Sequence, residues 1–289
     1  MRSIRKLSEM KGYVRSARAE GRSVGLVPTM GYFHEGHLSL MRAARSENDL
    51  VVVSLFVNPT QFGPDEDYDR YPRDLNRDVE LALAEGVDVL FTPDREEMYP
   101  EGEATRISVV GLSEKLCGAS RPGHFQGVAT VVAKLFNIVR PHRTYFGAKD
   151  YQQTVIVRKM AADLHFDLEI VIQPTVREDD GLAMSSRNAY LNEDERKAAI
   201  CLKESLDQAV QRIDGGERNA DRIRGGIRER IGRESLARID YVSVSESATL
   251  TEVSVIQGEV LIALAVFVGA TRLIDNVVVR PQAGMVDIS

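Results

Sequence analysis

A chain of 289 residues, 43% hydrophobic and 28% charged, can bury a substantial core in one large domain or two smaller ones. Its formal net charge of −6 argues against nucleic acid as the main partner, leaving room only for a local basic patch. Two cysteines far apart, Cys117 and Cys201, suggest neither a disulfide frame nor a zinc site and read as reduced, buried thiols of a cytoplasmic protein.

The opening residues, Met1–Lys6, lack the apolar core of a secretory signal. Ser8–Glu20 reads as a helix stopped by Gly21, and Val24–Val27 as the first strand. Pro28–His37 (PTMGYFHEGH) then leads into a helix-like run, Leu38–Asn48, with Leu38, Met41 and Ala44 at core spacing. Leu50–Val57 is an unbroken apolar run, as expected of a strand covered on both faces of a parallel sheet. It ends in the polar turn Asn58–Gly63, and an acidic loop, Asp65–Tyr71, follows. Leu75, Val79, Ala82 and Leu83 define a helix closed by Gly86, and Val87–Phe91 forms the third strand. Ile107–Val110 reads as a short strand. His124–Val139 is a long helix with Val128, Val131, Val132, Leu135 and Val139 inward. Tyr145–Phe146 is a brief strand before Gly147–Asp150, and helix Tyr151–Leu164 and strand Leu168–Ile172 complete this half.

The alternation predicts an α/β fold, a Rossmann-like parallel sheet with helices on both faces over residues 1–175. The pattern then changes. Thr175–Asn188 is polar, with a turn at Asp179-Asp180-Gly181, and helices are expected over Glu193–Ile213 and Ala220–Ile231. Strands follow at Tyr241–Val244, Val260–Val268 and Arg272–Val279, the last two joined as a hairpin through Gly269-Ala270-Thr271. Residues 176–289 are therefore expected to form a smaller α+β C-terminal domain. Val260–Val268 is the longest apolar run and about half of what a membrane span needs, so no membrane is implied.

Ligands of parallel α/β sheets sit at the carboxyl ends of the strands, where three polar turns fall. Pro28–His37 sets His34 and His37 on roughly one face at a helix mouth, where imidazole N–H groups and a positive dipole end suit a phosphate. Walker A and GxGxxG patterns are absent, and His34-Glu35-Gly36-His37 is one residue too short for HExxH. Met184-Ser185-Ser186-Arg187-Asn188 offers hydroxyls, amides and a guanidinium to phosphate oxygens. Gly147-Ala148-Lys149-Asp150 supplies an ammonium point charge, and Gln152 and Gln153 can hydrogen-bond a hydroxylated substrate. Each stretch also has a plain structural reading as a helix cap or surface turn. Arg121-Pro122-Gly123-His124 is a polar helix entry in which His124 is expected to be a structural cap.

HxGH near the N-terminus with a downstream MSxS-type loop resembles the two-part nucleotide signature shared by class I aminoacyl-tRNA synthetases and small nucleotidyltransferases. More specifically, PTMGYFHEGH, FVNPTQFG, RPGHFQGVATVV, FGAKDYQQ and VREDDGLAMSSRN, in this order and spacing, closely resemble the pantothenate synthetase family from Val24 to about Asn192. The resemblance implies ligation of pantoate to β-alanine with ATP and Mg²⁺, through a pantoyl adenylate. Carried over by position, it implies an ATP site of Met30, Gly31, Tyr32, Phe33, His34, Glu35, Gly36 and His37, completed by Gly147, Ala148, Lys149, Asp150, Val176, Met184, Ser185, Ser186 and Arg187. His37, His34 and Lys149 would be catalytic, Gln61 would touch pantoate and β-alanine, and Gln153 would touch pantoate. It further implies a homodimer and Mg²⁺ held by phosphate oxygens and water rather than by protein ligands. A nucleotidyltransferase with another acceptor and a non-catalytic ATP-binding regulator are the alternatives. The C-terminal domain is expected to act as a lid hinged near Asp179-Asp180-Gly181.

Overall fold

The computed structural model of the chain describes residues 1–64 and 66–281; Asp65, at the head of the expected acidic loop, lies outside them. The chain divides into two compact units, Met1–Val176 and Arg177–Ser289.

The first unit runs β1 (Arg2–Ile4), α1 (Leu7–Ala19), β2 (Val24–Thr29), α2 (Glu35–Glu47), β3 (Leu50–Leu55), α3 (Leu75–Ala84), β4 (Val89–Phe91), α4 (Arg95–Met98), α5 (Cys117–Ser120), α6 (His124–Val139), β5 (Arg143–Gly147), α7 (Tyr151–Asp163) and β6 (Glu169–Gln173). Its strands form one sheet in the order β1-β4-β3-β2-β5-β6, parallel throughout. β2 pairs with β3 along its whole length, Val24 against Leu50 to Thr29 against Leu55, and meets β5 on its other side. The chain therefore leaves β2 toward one edge and later returns to build toward the other. This reversal opens a crevice at the carboxyl ends of β2 and β5.

Apolar runs explain the central strands, since Leu50–Val53 have no exposed surface. α2 lays Leu40, Met41 and Ala44 on the sheet, in a core with Val27, Phe33, Val51, Val53, Leu90 and Tyr145. Gly25 is required beneath it: a Cβ there would lie 2.6 Å from Asn48 Nδ2, an amide that donates to Ala44 O and Tyr145 Oη. α6 is buried on nearly every face, the mark of a helix inside the fold rather than on it.

The second unit holds α8 (Glu193–Ala199), α9 (Cys201–Asp214), α10 (Ala220–Ile231) and an antiparallel sheet of β7 (Ala237–Glu246), β8 (Val260–Val268) and β9 (Thr271–Val279). α9 buries Leu202, Leu206, Ala209 and Ile213, and α10 buries Ile223, Ile227 and Ile231, against β8 residues such as Ile262 and Leu264. Val268 pairs with Thr271, closing the expected hairpin.

One strand goes unforeseen and three expectations are corrected. β1 is not legible in the sequence, being three residues with one buried side chain, yet it pairs with β4 at the sheet edge. Ile107–Val110 forms no strand: Ile107 N donates to the Thr130 hydroxyl of α6, and Val110 is 86% exposed. The helix expected over Glu193–Ile213 breaks at Ile200 into α8 and α9. In α3, Leu75 and Leu83 face outward and a charged residue, Asp78, faces in.

Candidate active site

The turn after β2 is built from backbone geometry that few residues tolerate. Gly31 has φ 84° and Tyr32, unusually for a side-chain-bearing residue, φ 53°. A buried carboxylate holds this bend. Asp78, 1% exposed on α3, accepts Tyr32 N–H and Phe33 N–H at 2.7 Å each, one on either oxygen. A side chain at position 31 would press on it, the nearest Asp78 oxygen lying 3.0 Å from a Cβ there. Phe33 then plugs the core, and Arg77 donates to its carbonyl at 2.8 Å.

His34 is the N-cap of α2 in extended conformation, so the helix starts at Glu35 and not at Leu38. The cap reading and the site reading of the histidines thus describe one arrangement. The His34 backbone N–H reaches back to His37 Nδ1 at 3.3 Å. In the neutral ring the proton is then on Nε2, which becomes the donor. The His34 and His37 rings stack with centroids 4.1 Å apart. Burial above all, and then the charges of His34 and Lys149, hold the His37 imidazolium well below its usual range. His37 therefore presents an uncharged N–H at the positive end of α2.

The turn after β3 is the short 3-10 segment Pro59–Gln61, capped by Asn58. Asn58 Oδ1 accepts from Thr60 N at 3.3 Å, from the Thr60 hydroxyl at 2.9 Å and from the Tyr99 hydroxyl at 2.8 Å. Its amide donates to Gln61 Oε1 at 3.0 Å and to Gly127 O at 3.2 Å. Gln61 Nε2 meets Met30 Sδ at 3.2 Å, which brings the β2 and β3 ends together. Gly127 of α6 lies directly beneath, where a Cβ would be 2.3 Å from Thr60 O and 2.7 Å from Gln61 N.

After β5, Gly147 leads into a 3-10 turn, Ala148–Asp150. The Lys149 side chain is largely buried, with Nζ 3.9 Å from the Asp150 carboxylate, and its charge reaches His37. Of the two glutamines that follow, Gln152 accepts from Cys117 N at 3.0 Å and donates to Leu112 O at 3.0 Å and Lys115 O at 2.6 Å. Its amide is therefore committed to holding the loop before α6. α5 carries Cys117, which like Cys201 is buried and outside any disulfide.

In the second unit, Ser185 caps a 3-10 turn, Ser186–Tyr190, accepting Arg187 N–H at 3.3 Å; Met184 precedes it, and Val176 ends the first unit. The turn Asp179-Asp180-Gly181 takes several hydrogen bonds and ion pairs within its own unit. Arg196 binds both Asp180 and Glu178 at 2.7 Å, Leu182 N–H donates to Asp180 Oδ1, and Arg177 makes a two-point pair with buried Asp275. Among the described residues no group of three or more His, Cys, Asp or Glu is placed to hold a metal ion, and no helix is long and apolar enough to cross a membrane.

Sequence reasoning missed Asp78 and gave Asn58 no role. A signal for Asp78 existed: it lies four residues before Ala82, a charge on the stripe that should face the core.

The profile of the family described as pantoate–β-alanine ligase matches residues 2–278. Pantothenate synthetase of Acetivibrio thermocellus is 57% identical over 280 residues, covering 97% of this chain and 100% of that protein. That of Moorella thermoacetica is 57% identical over 280 residues, covering 97% and 99%. The crystal structure of pantothenate synthetase from Thermus thermophilus superposes with a TM-score of 0.91 at 47% identity, over 96% of this chain and 99% of that one. The pantoate–β-alanine ligase of Francisella tularensis, crystallised with β-γ ATP and β-alanine, superposes with a TM-score of 0.80 at 34% identity, over 98% and 99%.

Proposed function

This chain belongs to the pantoate–β-alanine ligase family, and we propose that its strand-end crevice joins pantoate to β-alanine with ATP, releasing AMP and pyrophosphate. The observation that carries the reading is one neutral imidazole donor, His37, beside a largely buried Lys149 whose charge it feels, with the Gln61 amide against Met30 of the same turn as His37. A pantoate carboxylate oxygen attacks the α-phosphorus of ATP and the bond to pyrophosphate breaks. The β-alanine amine, having lost its proton, then attacks the acyl carbon of the adenylate and AMP departs. Neither step needs a protein nucleophile. Both need oriented donors and positive charge where phosphate oxygens gain charge.

His37 Nε2–H and Lys149 serve those oxygens, and His34 supports the first of them. Met30 to His37 and Gly147 to Asp150 line the nucleotide, with Val176, Met184, Ser185, Ser186 and Arg187 as further nucleotide ligands. Gln61 addresses pantoate and β-alanine, and Gln153 addresses pantoate. Mg²⁺ accompanies the nucleotide, bound by phosphate oxygens and water. Two buried cysteines outside any disulfide suit a reducing cytoplasm, and we place the active form as a homodimer by analogy with the family. The test is exchange of labelled pyrophosphate into ATP, which should require pantoate and proceed without β-alanine. Net synthesis without such exchange would sink the two-step scheme.

A further inference from the structure

The Arg121-Pro122-Gly123-His124 stretch reads in the sequence as a helix cap. Gly123, at φ 83°, is the N-cap of α6, and His124 is its first residue with another task. His124 Nδ1 lies 2.8 Å from the Gln61 carbonyl oxygen, and Nε2 lies 3.1 Å from Arg121 Nη1. A guanidinium can only donate. Nε2 is therefore the acceptor, the ring proton is on Nδ1, and Nδ1–H donates to the Gln61 carbonyl. Arg121 Nη2 reaches the same oxygen at 3.3 Å. Glu66 in turn fixes the guanidinium, accepting from Nε at 2.7 Å and from Nη2 at 2.5 Å.

Asn58 supports the segment so held from within, but its backbone bonding is weak. The hydrogen bonds internal to the 3-10 turn are long, 3.4 Å from Gln61 N to Asn58 O and 3.3 Å from Phe62 N to Pro59 O. The first turn of α6 compensates with Gly127 packed under Thr60 and Gln61, and with His124 on the Gln61 carbonyl. Orienting that carbonyl orients the peptide plane and hence the direction in which the Gln61 side chain leaves the backbone. Burial and the neighbouring Arg121 push the His124 imidazole down to about 4, so it remains the neutral donor throughout the physiological range.

We infer that His124, held in one tautomer by the Glu66–Arg121 pair, is a positioning residue that aims Gln61 at the acyl substrate and the amine. This rests on the reading of Gln61 as a substrate contact. The experiment compares His124→Ala, His124→Asn and His124→Asp in steady-state synthesis, with KM measured separately for pantoate, β-alanine and ATP. Asn places a donor near where Nδ1 sits; Asp places an acceptor there, against a carbonyl. His124→Ala and His124→Asp should raise KM for pantoate about 5- to 10-fold, the scale of one lost hydrogen bond, with KM for ATP within about twofold. His124→Asn should recover most of the loss. In a Gln61→Ala background, His124→Ala should cost nothing further. If Asn is no better than Asp, or if the two losses add in full, the positioning role is overturned while Gln61 stands. If Gln61→Ala itself leaves KM for pantoate and β-alanine unchanged, the reading of Gln61 fails and this inference with it. Should His124→Ala fold poorly, as a melting curve would reveal, the near-isosteric Asn and Asp variants carry the same decision.

Discussion

Asp78→Asn should disable adenylation without removing any group that touches substrate. The two oxygens of Asp78 take the N–H groups of Tyr32 and Phe33 at 2.7 Å each, on either side of the left-handed residue Tyr32. Asn keeps the shape and one acceptor, and turns an NH₂ toward the other amide. A buried N–H left without a partner costs about 1–3 kcal/mol, and the left-handed Tyr32 adds of order 1 kcal/mol that must still be offset. The gain from no longer burying a charge works the other way. Burial raises the Asp78 carboxyl above its ordinary value and outweighs the two amides, which pull it down. A folded-state pKa raised above the unfolded one means stability present at acid pH and lost as pH rises through the raised value. Asp78 is thus retained against its own titration.

The net loss, about 1–3 kcal/mol, falls on the turn that aims His34 and His37. If all of it appears in the transition state, the pantoate-dependent exchange rate drops about 5- to 150-fold. The assay is pyrophosphate exchange at saturating ATP and pantoate, alongside a melting curve over the acid range. A variant with wild-type exchange would refute the clamp. One that melts early but exchanges normally would make Asp78 a stability residue only.

Gly127→Ala should cost about 1–3 kcal/mol and raise KM for pantoate, since the new methyl meets backbone atoms at 2.3 and 2.5 Å that cannot swing aside; an unchanged melting temperature and KM would argue against the close packing. Gln153→Ala should weaken pantoate and leave stability alone, whereas Gln152→Ala should lower the melting temperature, because Gln152 holds Cys117, Leu112 and Lys115; the reverse pattern would show that the pair is misassigned. His37, depressed by burial and by the charges of His34 and Lys149, contributes stability that is present above its ordinary range and lost as pH falls toward its folded value. The exchange rate should therefore show no limb near the ordinary histidine range of about 6.5, and a limb there that His37→Gln removes would contradict the neutral-donor role.

Much of the first unit was legible because its strands are apolar runs ending in polar turns. Leu50–Leu55 could hardly be anything but a covered strand, and α6 was read to the residue. What stayed hidden was set by partners distant in sequence. β1 exists because β4 is there to pair with it, while the more apolar 107–110 pairs with no strand. The site followed the same division. Histidines and glycines at a strand end suggest a phosphate turn, but Asp78 is one acid in an amphipathic helix, and no spacing tells which of two adjacent glutamines is committed to the protein's own backbone. His124 looked like a cap because its sequence position is a helix entry; its work depends on Arg121 and Gln61 meeting it in space.

These hidden residues share a placement that the parallel sheet dictates. Successive strands deliver their polar turns to one end, and those after β2 and β3 leave backbone groups that take partners from elsewhere. The helices of neighbouring βα units present side chains to those unsatisfied groups only if a polar residue interrupts their apolar stripes. Asp78 of α3 does this for the turn after β2, and His124 of α6 does it for the turn after β3. Gln152 of α7 does it for the segment before α6. A group aimed at a transition state needs positioning within about 0.5 Å, and turns with long internal hydrogen bonds cannot provide it alone. The interruptions in three apolar stripes are therefore where the fold and the chemistry meet. Their substitution should separate loss of orientation from loss of contact, with binding of one substrate changing while the other keeps its affinity.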